Sequence, residues 1–197
     1  MRNNLIYLMA FVVTGFGTTN AFAEIYISSS GGVVVVEDSD IDDGVDKGEY
    51  TYDSGTVFVG ALGLSNEAGR VELELGYREN DFDELKGVGS SSVDLGGDIT
   101  SESLMVNIYY DFETEGFYPF LGVGVGGAII EADIDGADSE DDSVLAYQVM
   151  LGGSYTSSFG LSIDLQYRYY ATGDPDFGEV DSEYRTHNLM IGLRQSF

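Results

Sequence analysis

Residues 183–197 read EYRTHNLMIGLRQSF, and the alternation within them decides the fold. Counting back by twos from Phe197 gives Gln195, Leu193, Ile191 and Leu189, while the other parity gives Ser196, Arg194, Gly192, Met190 and Asn188. One face is apolar and closes on an aromatic; the other is polar or small. Successive side chains of a strand point to opposite sides of its sheet. The segment therefore suits a β-wall with lipid on one side and a polar interior on the other.

The same period recurs upstream. In one segment Val71, Leu73, Leu75 and Tyr77 oppose Glu72, Glu74, Gly76 and Arg78, and in another Leu104, Val106, Ile108, Tyr110 and Phe112 oppose Ser103, Met105, Asn107, Tyr109 and Asp111. A third sets Leu161, Ile163, Leu165, Tyr167 and Tyr169 against Ser162, Asp164, Gln166, Arg168 and Tyr170. Eight strands are expected, over 24–36, 56–65, 69–80, 100–112, 117–132, 145–156, 160–170 and 183–197. Each is near the ~9–11 residues that a tilted membrane strand needs. The segments between them alternate in length: 37–55, 81–99, 133–144 and 171–182 are long, whereas 66–68, 113–116 and 157–159 are tight. Short turns at one end and long loops at the other, with an even strand count, are the pattern of a membrane barrel. The reading is an all-β, eight-stranded, antiparallel up-and-down transmembrane β-barrel in the cell outer membrane. Its termini are expected on the periplasmic side and its long loops outside the cell.

The N-terminal segment points to the same compartment. Arg2, an apolar run over 5–16 broken only by Thr14 and Gly15, and small residues at Ala21 and Ala23 have the layout of a secretory signal peptide. The expected organisation is a cleaved leader, 1–23, and one barrel domain, 24–197. Composition agrees: 27 glycines, 14 tyrosines and 11 phenylalanines against two prolines favour strands and interfacial aromatics. The absence of cysteine excludes disulfides and thiolate metal sites.

Acidic residues outnumber basic ones 35 to 8, for a formal net charge of −27, which excludes a nucleic-acid partner. The acids concentrate in the long connections, where Glu37, Asp38, Asp40, Asp42, Asp43, Asp46, Glu49 and Asp53 are offset by Lys47 alone. An anionic field is therefore expected at the outer rim.

The run FYPFLGVGVGG over 117–127 resembles the YPF–glycine strand of opacity-type porin family proteins, members of the outer-membrane protein A-like eight-stranded barrels. YQVMLGG at 147–153, DLQYRYY at 164–170 and HNLMIGLR at 187–194, continuing to Phe197, are similar to that family's later strands. The resemblance implies insertion by the barrel-assembly machinery, with Phe197 as the membrane-insertion signal. Gln195 stands where the family usually has an aromatic or apolar residue. Surface and porin-like roles vary within the family, so fold transfers better than function.

Several constellations could carry chemistry. The inward parity collects Glu72, Glu74, Asp111 and Asp164 against Arg78, Arg168 and Arg194. In a narrow barrel these are expected to form an internal salt-bridge network, with Glu72 or Glu74 paired to Arg168 or Arg194, because an isolated confined charge costs several kcal/mol. Such a network is either a plug or a gate, and eight strands enclose an interior just wide enough for side chains. Gly122, Gly124, Gly126 and Gly127 imitate a phosphate loop but lack the strand–turn–helix context and a following GK[ST]. They read instead as room for large inward neighbours such as Tyr109 or Arg168. Asp38, Asp40, Asp42, Asp46 and Glu49 occupy calcium-loop spacings, yet Asp43 fills the place of the required glycine. Weak Ca²⁺ association at acidic loops is the expectation, with no cofactor and no firm metal site. Divalent cations could bridge those acids to the phosphates of lipopolysaccharide. His187 has outward parity and no serine two residues on, which argues against a lipid-modifying enzyme; it is expected in an aromatic girdle beside Tyr169 and Tyr184.

The function expected is that of a non-enzymatic surface barrel presenting acidic extracellular loops around a largely plugged lumen, in contact with outer-membrane lipid, lipopolysaccharide and host or environmental surface ligands. The alternative is a small porin for ions or small solutes.

Overall fold

Backbone pairing joins the alternating segments into one wall. The computed structural model describes residues 24–36, 39–42, 47–52, 54–66, 69–86, 92–93, 97–112, 114, 116–134, 140–173 and 184–197. Among these, eight strands build the wall: β1 (Glu24–Val36), β2 (Gly55–Asn66), β3 (Gly69–Lys86), β4 (Gly97–Asp111), β5 (Tyr118–Ile134), β6 (Glu140–Thr156), β7 (Leu161–Thr172) and β8 (Arg185–Ser196). Each pairs antiparallel with its sequence neighbours, and β8 closes on β1 from Tyr26↔Ser196 to Val36↔Thr186. Closure leaves the barrel wall no free edge, so its polar backbone groups are met within the wall.

The registers fix the dimensions. From Tyr26 the row of paired residues runs through Gly63, Glu72, Asn107, Gly124, Gln148, Tyr170 and Thr186, and returns to β1 at Val36, ten residues beyond its start. With a rise of ~3.3 Å and a strand spacing of ~4.8 Å, that shear tilts the strands by about 41° and sets a Cα radius of about 8 Å. Such a bore holds side chains and little else.

The strands run longer at the long-connection end than the alternation predicts. β3 continues past Asn80 to Lys86, β4 starts at Gly97, β5 reaches Ile134, β6 starts at Glu140 and β7 reaches Thr172. Pairing there brings together acidic positions, Asp81↔Asp98, Asp98↔Asp133 and Glu131↔Asp141. Beyond the lipid the outward face is no longer required to be apolar, so the period-two signal fades while the hydrogen-bonded ladder continues. Within the first long connection, Ser39–Asp42 pairs with Lys47–Tyr52, which pairs in turn with the extension of β3. The leader, 1–23, and Asp38 and Asp46 of the calcium spacing lie outside the described residues. Asp40 and Glu49 face one another in the backbone pairing of that hairpin, and Asp42 faces Lys47.

Local chemistry sets the short turns. Gly69 N–H donates to Asn66 Oδ1 at 3.1 Å, and the Thr114 hydroxyl donates to the Phe117 carbonyl. Gly160 N–H donates to the Ser157 carbonyl at 3.2 Å, with Gly160 at φ +83°, where a Cβ would be strained. Gln195 works at this end: its Nε2 donates to the Phe159 carbonyl at 3.3 Å, tying β8 to the β6–β7 turn. Phe197 N–H donates to the Ile25 carbonyl at 2.9 Å, and its ring is 74% exposed on the outside of the wall.

Outward faces are apolar and exposed, Leu75 at 66% and Ile191 at 63%. Tyr110, Tyr118 and Tyr155 mark the short-turn side of this band, and Phe58, Tyr77, Tyr147 and Tyr169 mark the other. Tyr147 and Tyr155 are eight residues apart on β6, or about 20 Å along the barrel axis at this tilt. Among the described residues, no charged side chain points outward between these two levels; Glu79, Glu102 and Arg185 lie just beyond the second.

Candidate functional site: the buried belt of charges

The inward parity of β3, β4, β6, β7 and β8 places polar groups in the middle of the barrel. Glu74 is at the centre, 1% exposed. Arg168 reaches it from the opposite wall with Nη1 at 2.6 Å from Oε1 and Nη2 at 2.8 Å from Oε2. Asn107 and Gln148 also donate to Glu74, at 3.1 and 3.2 Å. Arg168 Nη1 and Nη2 donate further to Gln148 and Gln166 at 3.2 Å each. A two-pronged ion pair with both carboxylate oxygens fully engaged is the arrangement in which a buried charge pair is tolerated.

Towards the short-turn end lies a second group. Arg70 Nε donates to Asp111 at 3.0 Å and its Nη1 is 3.9 Å from Asp164; Arg194 grips Asp164 at 3.2 and 3.4 Å. The Arg70 guanidinium also sits 4.5 Å from the centre of the Tyr109 ring and 4.7 Å from that of Phe120, geometry in which a ring face attracts a cation. Glu72 accepts from the Tyr26 hydroxyl at 2.8 Å and from Asn107 at 3.5 Å.

The glycines on the inward face of β5 make this packing possible. A Cβ on Gly122 would collide with the Tyr109 ring, one on Gly124 with Asn107, and one on Gly126 with the β4 backbone beside Met105. Gly127 has outward parity and meets only the Val144 carbonyl, at 3.8 Å. At the long-connection end Val36, Ile99, Met105, Ala128, Ile130, Ala146, Tyr170 and Tyr184 form an apolar cluster across the bore. Tyr109, Phe120 and Met150 form another nearer the turns.

The structure thus brings together Glu74 with Arg168, and Asp111 and Asp164 with Arg70 and Arg194. Arg78 stands apart: its guanidinium lies 3.7 Å over the Tyr170 ring and its Nη1 donates to Ser103 at 3.2 Å. Arg70, Tyr26, Asn107 and Gln148 were not singled out from sequence. Arg70 shares the parity of Glu72 and Glu74, and extending that face one step to the turn would have found it. His187 lies on the outer face, with Nδ1 2.6 Å from the Tyr167 hydroxyl and its ring 5.4 Å from that of Tyr169. Tyr184 is not beside it. Its parity is that of Asn188, so it turns inward, packs on Tyr170 at 6.3 Å and donates to Asn80 at 3.0 Å.

Comparison with known proteins agrees with this architecture. The outer membrane protein beta-barrel domain family matches residues 9–197. A protein of Rickettsia bellii named as a candidate adhesin is 30% identical over 175 residues, covering 72% of this chain and 75% of its own length. Among solved structures, Neisserial surface protein A superposes with a TM-score of 0.62 at 19% identity, over 88% of this chain and 97% of that one. OprG of Pseudomonas aeruginosa gives 0.63 at 16% identity, over 88% and 96%. At those identities the likeness of the two structures is one of fold. With the family matched along almost the whole sequence and the wall closed as its members' walls are, the chain belongs to the outer membrane protein β-barrel domain family.

Proposed function

We propose that this protein is a non-enzymatic surface barrel that does not conduct, its wall serving as a rigid mount for acidic extracellular loops that contact surfaces outside the cell. The observation that supports a plugged interior is the Glu74–Arg168 pair. It lies across the centre of a bore of about 8 Å Cα radius, its hydrogen bonds are almost fully engaged, and apolar clusters lie on either side of it. The name of the Rickettsia bellii relative supports an adhesive role. In this reading the short turns and both chain ends face the periplasm. Divalent cations join the acidic rim to lipopolysaccharide phosphates, with Ca²⁺ held weakly and without a dedicated site.

Reconstitution of the folded protein into planar bilayers tests the interior. The expected record shows no stable openings; steady conductance of nanosiemens size would establish the small porin instead. Binding of cells expressing the protein to host-derived and abiotic surfaces tests the adhesive role. Adhesion should fall when the acids of 37–53 are replaced by their amides, and adhesion unaffected by that change would remove the loops from the function.

A further inference from the structure

Two outward glycines have no neighbour that demands them. The inward glycines of β5 make room for side chains across the bore, but a Cβ on Gly60 or Gly127 would meet nothing closer than 4.0 and 3.8 Å. Both lie in one row of paired residues that crosses the wall from β2 to β5, Gly60↔Leu75↔Leu104↔Gly127. The next outward row towards the long connections is Phe58↔Tyr77↔Glu102↔Ile129. Between the two rows lies a groove of about 700 Å³ on the outside of the barrel. From Gly60 to Gly127 it spans three strand spacings, about 14 Å. An apolar groove of this length, opened where side chains are missing, fits one extended hydrocarbon chain.

The rim of the groove on the long-connection side carries charge. Glu102 lines it just beyond the level of Tyr77, and makes no hydrogen bond or ion pair with another described residue. Tyr77, which faces Glu102 across the β3–β4 pair, donates instead to Glu79 at 2.9 Å. Glu79 and Glu131 flank Thr100 in the row beyond. Three outward carboxylates thus stand at the mouth of the groove on β3, β4 and β5. Among the described residues the outward arginine at this level, Arg185, is on β8, on the opposite side of the wall. Such a field repels an anionic headgroup and attracts a cationic one. A primary ammonium suits Glu102 in particular, because it donates charge-assisted hydrogen bonds to a carboxylate.

We propose that this groove holds one aminophospholipid of the phosphatidylethanolamine class, with an acyl chain between the two rows and its ammonium on Glu102. The chain occupies the space over Gly60 and Gly127, and the headgroup supplies the counter-charge that the chain's own residues do not place there. The site requires only that the wall stands in lipid, so it holds or fails independently of what the loops contact.

Native mass spectrometry of the full folded barrel in detergent, titrated with phosphatidylethanolamine, phosphatidylcholine and phosphatidylglycerol of identical chains, tests the site. Phosphatidylethanolamine should be retained saturably and about tenfold more tightly than the other two, since a trimethylammonium donates no hydrogen bond and a glycerol headgroup carries no cation. Glu102→Gln should bring phosphatidylethanolamine to the level of phosphatidylcholine. Gly127→Leu, which fills the groove from the outer surface, should weaken retention by a similar factor. In the wild type, phosphatidylethanolamine with a spin-labelled chain should broaden the methyl resonances of Leu75, Leu104 and Ile129 more than those of Leu189 and Ile191 across the barrel. Equal retention of the three lipids, preference for phosphatidylglycerol, retention unchanged by either substitution, uniform broadening, or a dimer mass in place of a lipid adduct would each overturn the proposal.

Discussion

At the scale of single residues, the interior works by complementary removal and insertion: where β5 omits a side chain, a neighbouring strand supplies one. Gly124 and Gly127 separate this packing effect from glycine's backbone freedom, since neither has a positive φ. Gly124→Ala should destabilise the barrel by about 1–3 kcal/mol through collision with Asn107 and Gln148. Gly127→Ala, in open space outside, should stay within about 0.5 kcal/mol; urea titrations in lipid vesicles compare the two. The Glu74–Arg168 pair calls for a double-mutant cycle. Glu74→Gln leaves a buried guanidinium without its counter-charge and should cost about 3–5 kcal/mol. Glu74→Leu combined with Arg168→Met removes both charges and should recover most of that loss, to within about 1 kcal/mol of wild type. A double variant that costs the sum of the Glu74→Leu and Arg168→Met single losses would mean that the pair is not coupled.

At the scale of strands, legibility followed solvent contrast. β7 and β8 could be read residue by residue because lipid and interior impose opposite demands on alternate positions, as Leu165 and Gln166 show at 58% and 7% exposure. The same reading stopped at Asn80 on β3 because Asp81 and the residues after it leave the band in which alternation is enforced. It placed Met105 and Met190 on a polar or small face, whereas both are buried apolar fillers; flexible side chains that fit gaps left by glycine cannot be told from parity. The inward parity of Glu74 and Arg168 was legible, but their pairing across the bore depends on a register that only closure of the ring defines. Depth gives a prediction of its own. Ile191→Arg, near the middle of the outward band, should cost about 2–4 kcal/mol of folding stability, and Glu102→Arg, beyond the tyrosines of the long-connection side, about 0–1 kcal/mol. Folding titrations in vesicles should show that order, and equal costs would misplace the band.

At the scale of the whole molecule, charge and wall are segregated. The net charge of −27 resides mainly in the long connections, while the outward band carries none among the described residues. Folding requires the acidic segments to cross or approach a bilayer surface, so anionic lipid should oppose it. Insertion into vesicles containing anionic phospholipid is therefore expected to be slower than into zwitterionic ones. The difference should shrink at about 1 M salt, where the Debye length falls to ~3 Å. A rate independent of lipid charge would show that the acidic segments stay clear of the surface during insertion.

The row that leaves β1 at Tyr26 and returns to it at Val36 also constrains how this molecule can change by descent. Because the wall is a closed spiral with a two-residue repeat, losing one residue within a strand would turn every side chain beyond it inside out, exposing arginines to lipid and leucines to the bore. No free edge exists where such a slip could be absorbed. Length variation between relatives should therefore accumulate in the long connections and be nearly absent from the strands. The barrel can vary its long-connection end extensively while its wall changes only by substitution, so divergence between relatives should be concentrated at one end of the molecule.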